Sequence, residues 1–183
     1  MKPAEFDRNT ILISSEDSKI NFSDSNPGKI CVSPGGVARN IAENLCQMNI
    51  SCKLISAVGN DSYGEMLIKK NIEAGIDSRF VIKHERYPTS SYLSIIDESG
   101  EMVGAVSDMD IISTITPSYL ESIKKIVMIA EVICIDTNLS EDSIEYIFNT
   151  FGDKNRVFLT TTPTFGYYFP CAEIQGMRII TCP

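Results

Sequence analysis

The sequence has 183 residues, 43% hydrophobic and 22% charged, a size and balance that suit one globular domain and exclude a disordered chain. Its 16 Lys and Arg against 24 Asp and Glu leave a net charge of −8, so the chain repels phosphate backbones and anionic lipid; neither nucleic acid nor a membrane is an expected partner. No apolar run approaches the roughly 18 to 20 residues that cross a bilayer, and Met1 to Ser15 lacks the order of a signal peptide, so the expected location is cytoplasmic.

The six cysteines, Cys31, Cys46, Cys52, Cys134, Cys171 and Cys182, are scattered, mostly in apolar neighbourhoods, with no CxxC pair, and are expected to be buried free thiols rather than disulfides or a metal site. The one histidine, His84, lies at a strand end running into the charged turn Glu85-Arg86. No nucleophile motif surrounds it, so a structural role is expected and no metal site is.

In chain order, the first clear element is a helix after Gly35-Gly36, with Val37, Ile41, Ala42, Leu45 and Met48 at spacings of three and four. A strand, Lys53 to Val58, follows. Asp61 caps a second helix, which Gly75 ends in the left-handed conformation. The period then changes: Arg79 to Lys83, Ser90 to Ile96 and Glu101 to Val106 read as short strands, with hairpin-turn chemistry at Asp97-Glu98-Ser99-Gly100. Thr116-Pro117 starts a helix running to about Ala130, then come a buried strand Val132 to Asp136, a helix Ser140 to Phe151 and a strand Arg156 to Thr160.

Alternating β and α units predict a doubly wound, mainly parallel α/β sheet, with the short strands of about 79–106 standing off it as a β-flap. The expected domain is 1–160. Residues 161–183, with Pro163, Gly166 and Pro170, show no helical period and are expected to be an irregular tail.

The chemistry concentrates around Ser33-Pro34-Gly35-Gly36-Val37-Ala38-Arg39-Asn40. Paired glycines let a backbone approach a ligand, the new helix aims N–H groups at it, and Asn40 offers a donor and an acceptor suited to hydroxyls. The same residues also serve as a tight strand-to-helix turn with a capping Asn, and spacing does not separate the two readings. Neither GxxxxGK[ST] nor GxGxxG occurs. Ser90 and Ser91 on a strand, and Asp108 beside Asp110, likewise read either as ligand contacts or as solvated polar groups.

Ser33 to Asn40 resembles the N-terminal signature of the ribokinase-like (PfkB) carbohydrate kinases. Asp24 to Ile30, Leu54 to Gly64, Thr89 to Ser94, Glu101-Met102, Ser107-Asp108-Met109 and Ile135 to Ser140 extend the likeness over residues 18 to 150, most closely to the pseudouridine kinase branch. The resemblance implies a ribokinase-like sheet with a lid, ATP and Mg2+ as cofactors, and γ-phosphoryl transfer to a hydroxyl, for pseudouridine the ribose 5′-OH. Gly35, Gly36 and Asn40 would hold the ribose, Ser90 and Ser91 would belong to the lid, and Asp108 and Met109 would lie near the substrate. Gly59, Asp61 and Gly64 match a family motif with structural roles: turn, helix cap and close packing.

In that family the base and the anion hole come from a GxGD motif at a helix start. The chain has Gly152-Asp153 instead, preceded by Phe151 and followed by a strand pattern. The family's sugar-gripping aspartate falls at Ile11, beside Asn9, and a side chain without a polar atom cannot accept from a hydroxyl. The expectation is therefore a truncated kinase with no catalytic residue assigned, a nucleotide pocket largely missing and no activity by itself. The alternative is a non-catalytic sugar- or nucleoside-binding module, or a homodimer formed through the apolar flap strand of Tyr92, Leu93 and Ile95.

Overall fold

The computed structural model describes residues 10–15 (backbone only), 24, 26, 28–161 and 166–182. The expectations placed on Met1 to Arg8, Asn9, the Ile11 side chain, Ser25, Pro27, Thr162, Pro163 and Phe165 lie outside what is described. The chain divides into two compact units, Met1–Ile111 and Ile112–Pro183.

In the first unit, β1 (Thr10–Ser15) and β2 (Gly28–Cys31) precede α1 (Val37–Gln47). Then come β3 (Lys53–Gly59), α2 (Ser62–Glu73) and β4 (Asp77–His84). The hairpin β5 (Ser91–Ile96) and β6 (Met102–Asp108) closes it. Strands β3 and β4 pair in parallel across α2. The hairpin belongs to a separate four-stranded sheet of order β2-β1-β5-β6, in which β1 lies parallel to β5 and sets Ile11 opposite Leu93.

The flap is therefore shorter at its start than the sequence predicts. Arg79 to Lys83 lies in β4, whose Val81 packs against the core of Ala42, Leu54 and Ile76. That apolar side chain ties the strand to the helix-covered pair. The hairpin turn forms as expected: Asp97 Oδ1 accepts from the Ser99 and Glu101 N–H groups, and Gly100 takes φ +86°.

The buried stripe of α1 shares Ala42 with the predicted one but is otherwise turned from it. Ala38, Ala42 and Cys46, spaced by four, face the core, while Val37, Ile41 and Met48 are exposed. Small side chains set the helix close to β3 and β4, and the face they define is turned from that of the larger residues. The cap of α2 follows expectation, with Asp61 Oδ1 accepting from the Gly64 N–H at 2.8 Å and Gly75 at φ +80°.

A 3-10 turn, Asp110–Thr114, leads to the second unit. The expected helix from Pro117 is interrupted at Ile123 into α3 (Pro117–Ser122) and α4 (Lys124–Met128). Val132 to Asp136 is not a buried strand: among the described residues it pairs with no other strand, and Val132 is 77% exposed. An apolar run acquires strand structure only where a neighbour takes up its backbone hydrogen bonds.

Helix α5 (Glu141–Phe151), capped by Ser140, leads to β7 (Val157–Thr161). The residues expected to form an irregular tail then supply α6 (Tyr168–Ile174) and β8 (Arg178–Cys182), which pairs in parallel with β7. Pro170 sits in the first turn of α6, where a missing N–H costs little. Tyr168, Cys171 and Ala172, at helical spacing, pack with Ile144 and Phe148 to form the core of this unit.

Candidate functional site

The seven sequence-predicted site residues all lie in the first unit and fall into two groups. Gly35, Gly36 and Asn40 form the entry to α1. Gly35 is buried, and Gly36 is exposed at φ +97° and ψ +125°, a backbone conformation that a side chain would strain. The Gly36 carbonyl accepts the Asn40 N–H at 2.9 Å, opening an 11-residue helix whose first N–H groups are directed back toward the glycines.

The second group spans the ends of the hairpin. Ser91 opens β5 directly opposite Asp108, the last residue of β6, with Ser90 and Met109 flanking the pair. The Ser91 hydroxyl donates to the Thr89 carbonyl at 3.1 Å, and the Asp108 carboxylate is exposed.

Thr89, absent from the sequence reading of the site, anchors this second group. Its N–H and hydroxyl donate to the two carboxylate oxygens of Asp61, each at 2.7 Å, and its hydroxyl accepts from the Gly59 N–H at 2.9 Å. Partial burial pushes the Asp61 carboxyl up, but hydrogen bonds from Thr89 and Gly64 outweigh it and hold the group below its ordinary value. A Cβ on Gly59 would come within 2.6 Å of the Thr89 nitrogen, and one on Gly64 would collide with the Gly59 carbonyl. The structural roles expected for Gly59, Asp61 and Gly64 are those observed.

Arg39 was also missed. It is 8% exposed, and its guanidinium touches Asn40, Glu43 and Asn71. The available signal was the Arg39-Glu43 spacing of four on a helix, an ion pair at 2.8 Å.

His84 has the structural role its context predicts: its Nδ1 accepts from the Arg86 and Tyr87 N–H groups at 3.0 and 3.2 Å, closing the turn after β4. In the second unit Asp136 Oδ1 accepts from the Asn138 backbone and side-chain amides, at 3.0 and 2.6 Å, as a local turn. Its charge, after burial, helps push the Tyr168 hydroxyl up to about 12. Among the described residues no three His, Cys, Asp or Glu side chains converge to hold a metal, and no helix is long and apolar enough to cross a membrane.

The pfkB carbohydrate kinase family matches residues 11–161, a stretch that holds both groups. The chain belongs to that family. The pseudouridine kinase of Escherichia coli is 42% identical over 132 residues, which cover 71% of this chain and 42% of that protein. The carbohydrate kinase of Agrobacterium tumefaciens superposes with a TM-score of 0.75 at 18% identity, covering 94% of this chain and 67% of that one. The ribokinase of Giardia lamblia does so with a TM-score of 0.73 at 20% identity, over 89% and 55%. The expected ribokinase-like α/β fold is thus the observed one, and the chain spans about two fifths of the length of the E. coli relative.

Gly152-Asp153 is the pair nearest in sequence to a pfkB anion hole, and its geometry decides whether it suits a nucleoside triphosphate. Gly152 ends α5, and a Cβ on it would lie 2.5 Å from the Phe148 carbonyl. Asp153 Oδ1 accepts the Asn155 N–H at 2.6 Å, and β7 begins at Val157. The pair makes a helix-to-strand turn and offers no helix N-terminus to a phosphate, so these residues do not fit the nucleotide.

Proposed function

We propose that these 183 residues are the acceptor-binding part of a pseudouridine kinase-like pfkB protein, seating a ribose at the entry to α1 beneath the β5–β6 hairpin, and that by themselves they do not transfer phosphate. The observation that carries this is the 42% identity to the E. coli pseudouridine kinase over 132 residues, beside a family match over residues 11–161 that holds both residue groups. Gly35 and Gly36 bring backbone close to the sugar and Asn40 bonds a hydroxyl. Ser90, Ser91, Asp108 and Met109 line the hairpin side. ATP and Mg2+ are the cofactors of the complete reaction, phosphorylation of the ribose 5′-OH. The Gly152-Asp153 turn, unsuited to phosphate, supports the absence of turnover by this chain. Calorimetry with pseudouridine tests the reading: binding by the wild type that Asn40→Ala weakens by about tenfold or more supports it, and equal binding by both contradicts it.

A second reading is a pairing module. The expected pairing strand of Tyr92, Leu93 and Ile95 is not an edge, because β5 is hydrogen-bonded to β1 on one side and β6 on the other. The edges are β2 and β6, which expose Ile30, Met102, Val103 and Val106, an apolar surface suited to a second copy of the chain. Light scattering distinguishes the two: a monomer at high concentration removes the pairing role.

A further inference from the structure

We propose that Arg39 is a positioning residue that fixes which end of the Asn40 amide meets a ligand, making Asn40 a donor to a sugar oxygen; the ligand part of this rests on the reading of Asn40 as a ribose contact.

A primary amide presents an acceptor oxygen at one end and a two-proton donor at the other, and rotation by half a turn exchanges them. Arg39 Nη1 donates to Asn40 Oδ1 at 3.1 Å, which turns the carbonyl end toward the guanidinium and the NH2 end away from it. Arginine has no acceptor, so the flipped amide would set N–H against N–H. The cation is itself held. Its Nε donates to Asn71 Oδ1 on α2 at 3.1 Å, and Nη1 also meets Glu43 Oε2 at 2.8 Å, one turn along α1.

With Arg39 at 8% and Asn71 at 3% exposure, the bond between them is shielded from water, which strengthens it and raises the cost of breaking it, while the bonds to Asn40 and Glu43 are part-buried. The carboxylate of Glu43 compensates the buried charge. The planar fork reaches Asn71 with one edge and Asn40 with another. Lysine, a single point of charge on a flexible stem, cannot hold both. Arg39 thus links the hydrogen bond that ties α1 to Asn71 of α2 to the polarity of the candidate ribose contact.

The test is a double-mutant cycle read by pseudouridine calorimetry, with the Asn40 side-chain NH2 signals followed by NMR in the ligand-free chain. The proposal predicts that Arg39→Lys weakens binding by about tenfold, the loss of one oriented hydrogen bond, and that in an Asn40→Ala background the same change alters affinity less than about twofold. It also predicts that the Asn40 NH2 signals are displaced from those of a solvated Asn in the wild type, and move toward those positions in Arg39→Lys. An equal loss of affinity in both backgrounds, or NH2 signals that Arg39→Lys leaves in place, overturns it. If Asn40→Ala leaves binding intact, the ribose reading has failed and the NMR comparison decides the role of Arg39. If Arg39→Lys does not fold, the wild-type spectrum decides: Asn40 NH2 signals at the positions of a solvated Asn contradict the proposal, and signals displaced from them support it.

Discussion

Thr89 and Asp61, 28 residues apart, share two hydrogen bonds of 2.7 Å that join the start of α2 to the loop leading into the hairpin. Because Asp61 also caps α2 through the Gly64 N–H, one carboxylate serves both the helix and the entry to the residue pair Ser90-Ser91. Asp61→Ala removes three bonds at once, and urea denaturation should show a loss of about 2 to 4 kcal/mol. A loss below about 1 kcal/mol would mean that Thr89 is held by other groups.

The pH dependence of the same group has a definite sign. Its folded-state pKa lies below the ordinary 3.8, so its contribution is fully present above that value and declines as pH falls through the folded pKa. Acid titration of the unfolding free energy should therefore be steeper below pH 3.8 in the wild type than in Asp61→Asn.

Glycine substitutions should separate close approach from mere flexibility. A methyl group on Gly64 meets the Gly59 carbonyl, whereas one on Gly104 meets nothing within 4 Å. Gly64→Ala should cost about 1 to 3 kcal/mol in denaturation, and Gly104→Ala should stay within about 0.5 kcal/mol of the wild type.

Asp77 shows why a large shift need not mean large stability. The hydrogen-bonding Arg79 guanidinium draws its carboxyl down to about 2, with the pair at 2.7 Å, yet the Arg79 side chain is 77% exposed. Solvent and salt screen such a pair to below about 1 kcal/mol, so Asp77→Asn should move the urea midpoint little. What stability the pair adds is present above pH 3.8 and is lost as pH falls toward 2.

The sequence made legible what depends on local chemistry: the Asp61 cap, the left-handed Gly75 stop, the Asp97 to Gly100 turn and the Gly35-Gly36 entry to α1. It concealed what depends on distant neighbours. Nothing local told that Arg79 to Lys83 pairs with β3, or that Val132 to Asp136 lacks a paired strand among the described residues. The predicted face of α1 contains Ala42 but otherwise rests on large apolar residues, whereas the small Ala38 and Cys46 share the contact with it. In the tail, Pro170 masked the helical spacing of Tyr168, Cys171 and Ala172. Of the site, the two residue groups were visible as motifs; Thr89 and Arg39, which hold them in place, act through partners 28 and 32 residues away.

The most direct measurement incubates the purified chain with pseudouridine, Mg2+ and γ-labelled ATP and follows label in the nucleoside. The proposed acceptor cradle, with Gly152-Asp153 in a turn unsuited to phosphate, predicts no labelled product under conditions where calorimetry detects bound pseudouridine. Sustained formation of a 5′-phosphorylated nucleoside, abolished by Asn40→Ala, would contradict it.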